Sequence, residues 1–110
     1  MLIAAIICLG LTVISGFWAG AYVLGQRLPP WRLAIGHGLA AALGLLAVFA
    51  LLDSGRLTPG WPLFLLLGTL VAGIGLFSLH LRARPLPLAL VLLHALLALC
   101  GLAGLLLALY

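Results

Sequence analysis

Residues 27–44 read RLPPWRLAIGHGLAAALG, and residues 84–101 read RPLPLALVLLHALLALCG. The second stretch is the first moved on by 57 positions, with its punctuation kept: Arg27 meets Arg84, Pro30 meets Pro87, His37 meets His94, Ala41 meets Ala98 and Gly44 meets Gly101. Working back from there, Thr12 meets Thr69 and Gly16 meets Gly73. Leucine matching leucine carries little weight in so apolar a chain. A histidine, an arginine, a proline and two glycines matching at one offset carry more, because internal repeats constrain architecture before any local reading does. The chain divides into repeat 1 (1–53) and repeat 2 (58–110) within a single membrane domain spanning 1–110, and each repeat reads as a helical hairpin.

The medium follows from composition. Of 110 residues, 67% are hydrophobic and 5% charged, with a mean hydropathy of +1.47. A soluble domain of this size could not hide that much apolar surface, so its solvent must be lipid. A hydrocarbon core about 30 Å thick needs roughly 20 apolar residues per helix. Four runs meet this requirement, at about 2–25, 32–52, 61–81 and 87–109. Strand-type alternation is absent, which excludes a barrel. The fold expected is an all-α integral membrane protein, a four-transmembrane-helix bundle built from two tandem helical hairpins. With two helices per repeat, both copies cross the membrane in the same sense, as a parallel repeat with a pseudo-two-fold axis along the membrane normal. Prolines mark the boundaries: Pro29 and Pro30, Pro59 and Pro62, Pro85 and Pro87.

Nothing basic precedes the first run, so it reads as a membrane helix rather than a signal peptide, despite the cleavage-like Ala19-Gly20-Ala21. The net charge of +4 comes from scattered arginines against the single acid Asp53 and is no nucleic-acid footprint. Arg27 and Arg32 lie in the first loop, and Arg82 and Arg84 in the third. The positive-inside rule puts those loops in the cytoplasm, in a bacterial inner membrane, with both termini extracytoplasmic. Trp31 is then expected at the inner interface, and Trp61 and Tyr110 at the outer one. Cys8 and Cys100 sit at different depths and read as small hydrophobes.

Small residues are expected to set the helix contacts: Gly16 and Gly20, then Ala34, Gly38 and Ala42, then Gly68, Gly73 and Gly75, then Gly101 and Gly104. His37 and His94 each lie about 9 Å into their helices. On parallel helices they would face each other across the axis. Each heads a strip without bulk, His37-Ala41-Gly44 and His94-Ala98-Gly101, along one helix face. A flat macrocycle could lie there, with Arg27 and Arg84 pairing its carboxylates.

The site reading is therefore one b-type haem, its iron held axially by His37 and His94, carrying electrons to another redox subunit or a quinol. The pattern resembles membrane b-type cytochromes in general style. The alternative is a cofactor-free accessory or assembly subunit of a larger membrane complex, in which the histidines only bond neighbouring helices. Other ligands considered are chlorophyll-type pigments, quinone or a metal ion; zinc and copper lack their third and fourth ligands. His80, whose repeat counterpart is Val23, is expected at the headgroup level, with a secondary role as a replacement ligand or propionate donor. The four-helix layout resembles the small multidrug-resistance transporters, but their membrane-embedded glutamate is missing and position 14 is Ile. Thr12, Ser15 and Thr69 have no accompanying base, and their hydroxyls are expected to bond carbonyls one turn back. No enzyme chemistry is expected beyond electron transfer.

Overall fold

The computed structural model describes residues 1–58 and 60–109. They form four helices: α1 (Leu2–Leu24), α2 (Trp31–Asp53), α3 (Trp61–Leu81) and α4 (Leu88–Ala108). All four are long and apolar enough to cross a membrane, and no strand occurs among the described residues. The bundle is 42 Å long and 23 by 19 Å across, ample for the hydrocarbon core and its interfaces. The chain is a multi-pass integral membrane protein. Pro59 and Tyr110, expected at a helix boundary and at the outer interface, lie outside the described residues.

The three turns share one construction. After α1, Gln26 adopts φ 56°; its N–H donates to the Val23 carbonyl (2.9 Å) and that of Arg27 to the Tyr22 carbonyl (2.9 Å). This is a Schellman closure, in which a left-handed residue turns the chain so that two orphan carbonyls are capped. After α3 the closure recurs 57 positions on: Ala83 has φ 51°, its N–H donates to His80 (3.0 Å), and Arg84 donates to Leu79 (3.0 Å). The turn after α2 uses Gly55 at φ 69°, with Gly55 bonded to Leu52 and Arg56 to Leu51. Only this third turn places glycine at the position where a side chain is disfavoured. Pro30 and Pro87 then open α2 and α4, with their carbonyls accepting from Ala34 and Val91 at 3.0 Å.

Within each hairpin the helices pack closely, α1 on α2 and α3 on α4; α1 also lies against α4. The buried apolar core comprises Ala5, Leu9, Leu45, Ala47, Val48, Leu51, Leu57, Leu66 and Leu105. These residues gather at the end of the bundle that carries the α2–α3 turn. The arginine-bearing end holds the two histidine arrangements instead. Elsewhere apolar side chains face outward, which in lipid carries no hydrophobic penalty.

Glycines divide into two sets. Gly44 and Gly101 admit leucines of their own hairpins: a Cβ at Gly44 would lie 2.7 Å from Leu9 Cδ2, and one at Gly101 2.9 Å from Leu66 Cδ2. Gly104 lies under the Trp61 ring, and Gly68 touches Leu97. By contrast Gly20, Gly38 and Gly75 meet nothing within 4 Å among the described residues. The expected packing role of Gly38 and Ala42 within the bundle is therefore corrected, since both are exposed on the outer face of α2.

Candidate functional site

His37 and His94 come together in the interior. Their ring centroids are 6.0 Å apart with planes inclined at 69°. Each imidazole is also fastened within its own hairpin. His37 Nδ1–H donates to the Thr12 carbonyl and His94 Nδ1–H to the Thr69 carbonyl, both at 2.9 Å. Ser15 Oγ, 3.2 Å from His37 Nδ1, is a second acceptor in the first hairpin only. A carbonyl can only accept, so the Nδ1 proton is fixed and Nε2 of the neutral ring keeps its lone pair.

Those carbonyls are available for a local reason. They belong to the matched pair Thr12 and Thr69, whose hydroxyls bond back one turn to Cys8 and Leu65 at 2.8 Å. The rings approach because Gly16 and Gly73 lack side chains. A Cβ at either position would stand 3.0 Å from the Cε1 of the histidine riding over it. Thr, Gly and His thus form one helix-to-helix fastening, made twice.

The strips running away from the histidines are occupied. Gly44 is covered by Leu9 and Gly101 by Leu66, leucines of their own hairpins. Ala41 and Ala98 are half-buried within the same hairpin surfaces. Arg27 and Arg84 are exposed in the turns, where their backbone N–H groups complete the Schellman closures. The structure brings the two histidines together, but Arg27, Arg84, Gly44 and Gly101 serve contacts of their own.

His80, near the end of α3, is expected in contact with headgroups or water, and the structure corrects that contact: the side chain is packed inside the bundle, 5% exposed. Its Nε2–H donates to the Pro29 carbonyl at 2.7 Å, joining α3 to the first turn. The Trp31 ring lies 4.3 Å away edge-on, and Phe77 stacks at 6.5 Å. Nδ1 is buried with no partner among the described residues. Its partner is a backbone carbonyl 51 residues earlier, a contact with no signature in the sequence. Cys8 and Cys100 are free thiols.

The class defined so far is a four-helix membrane protein whose interior histidines tie helices together. No family model and no solved structure matches the chain. Among curated proteins, a stretch of 65 residues, 57% of the chain, is 45% identical to Protein PucC of Cereibacter sphaeroides. The stretch amounts to 13% of PucC, so this chain corresponds to a small part of that protein's length. This likeness overturns the electron-carrier reading in favour of the accessory-subunit alternative, and brings no support for haem b, quinol or a redox partner. The matched residues have contacts within their own hairpins: His37 and His94 bond the Thr12 and Thr69 carbonyls, and Gly44 and Gly101 receive Leu9 and Leu66.

Proposed function

We propose that this chain is an accessory or assembly subunit of a larger membrane complex, seated in a bacterial cytoplasmic membrane with its arginine turns inside and both termini outside. The observation that carries the reading is the 45% identity to PucC over 65 residues. The outer face of α2 is consistent with it. Gly38 is exposed, and a Cβ there would meet nothing within 4 Å among the described residues. In lipid, small residues earn their place mainly where a second backbone approaches closely. Ala42, one turn beyond Gly38, extends that face.

The test is extraction of tagged protein from its own membranes in mild detergent. A heteromeric complex of fixed composition is expected. Gly38→Leu adds bulk only into open space, so it should leave the fold intact and remove the complex. A homogeneous monomer or homodimer from native membranes would refute the reading.

A further inference from the structure

We propose that the first hairpin carries a binding groove for one anionic phospholipid at the arginine-bearing end. The groove has a volume of about 350 Å³ and is lined by Trp18 and Tyr22 of α1 with Pro30, Arg32 and Leu33 at the start of α2. Trp18 and Tyr22 are one turn apart on one helix face, and Arg32 is exposed beside them. The lining is mostly aromatic and apolar, suited to acyl chains and glycerol, and Arg32 is its one charged residue.

The charge balance calls for an anion from outside the chain. Arg27, Arg32, Arg82 and Arg84 all belong to this end, and the one acid in the sequence, Asp53, ends α2 at the other. Twenty-one helical positions separate Asp53 from Arg32, about 31 Å at the usual rise, far beyond the screening length of about 8 Å. No carboxylate side chain of these 110 residues lies within reach of Arg32. A phosphodiester can, because the planar guanidinium pairs with two phosphate oxygens at once. A lipid is favoured over a free anion because the groove lies where α1 and α2 meet the membrane surface, with Trp18 and Leu33 in its wall.

The second hairpin supplies an internal comparison. The positions equivalent to Trp18, Tyr22, Pro30, Arg32 and Leu33 are Gly75, Leu79, Pro87, Ala89 and Leu90. The proline turn survives there, while both aromatics and the arginine are gone. The groove is therefore an addition to the common hairpin rather than part of its packing.

The experiment uses full-length protein with Trp31 and Trp61 replaced by Phe, reconstituted in bilayers, so that Trp18 alone fluoresces. Brominated phosphatidylglycerol should quench it at lower mole fraction than brominated phosphatidylcholine, by about fivefold, the worth of one interfacial arginine. Arg32→Gln should bring the two lipids level, while Arg84→Gln should leave the preference unchanged. Native mass spectrometry of unsubstituted protein should retain one phosphatidylglycerol, which guards against a folding effect of the Trp31 change. Equal quenching by both lipids, equal loss with Arg84→Gln, or relief of quenching by inorganic phosphate would each overturn the proposal.

Discussion

At the scale of single residues, the three turns pose the same backbone demand and meet it with different side chains. Gln26 and Ala83 hold left-handed conformations that Gly55 adopts without steric penalty. Gln26→Gly and Ala83→Gly should each raise the unfolding free energy, by up to about 1 kcal/mol, while Gly55→Ala should lower it by about as much. Denaturation by SDS in mixed micelles reads both signs. His80 has a larger effect to lose. His80→Leu leaves the buried Pro29 carbonyl without its donor, a loss of about 1–3 kcal/mol by the same titration. None of these roles is legible in the chain: a left-handed alanine looks like any alanine, and a backbone carbonyl has no letter.

At the scale of the helices, the sequence was a good guide to where they run and a poor one to what their punctuation means. Long apolar runs broken by Pro and Gly had to be helices, because in lipid every backbone group needs an internal partner. The expected spans and the observed ones differ by one residue at most at any end. The matched His, Gly and Ala invited a ligand; the structure shows the matched histidines and glycines in contacts between α1 and α2 and between α3 and α4. A duplicated packing device and a duplicated binding site leave the same trace in a single sequence. The device has consequences of its own. His37→Leu and His94→Leu should each destabilise by about 1 kcal/mol, the usual worth of one hydrogen bond between membrane helices. The loss at His37 should be the larger of the two, because Thr12 and Thr69 accept at the same distance but only His37 also has the Ser15 hydroxyl. Gly44→Val sets a branched side chain against Leu9 Cδ2 and the Leu9 backbone nitrogen, and should cost about 1–3 kcal/mol.

At the scale of the whole molecule, polarity is distributed unevenly along the bundle. The apolar core occupies the end near the α2–α3 turn, which carries Arg56, while the other four arginines, the His80 joint and the Trp18–Arg32 groove occupy the other. A reporter fused after residue 109 should therefore read as extracytoplasmic and one inserted in either arginine turn as cytoplasmic; the opposite pattern would invert the proposed orientation. This asymmetry was partly legible, since arginine counts are visible in the chain. Which arginine stands beside aromatics was not, because Trp18 and Arg32 meet only after the hairpin closes.

The twice-made fastening of Thr, Gly and His has a consequence for the chain's history. A lone hairpin carrying it could have paired with an identical copy, since every contact it needs internally is present in one half. In such a pair, any new feature would necessarily appear on both members. With both hairpins in one polypeptide that obligation does not apply, and Trp18, Arg32 and His80 each stand in one half with no like residue at the matching position of the other.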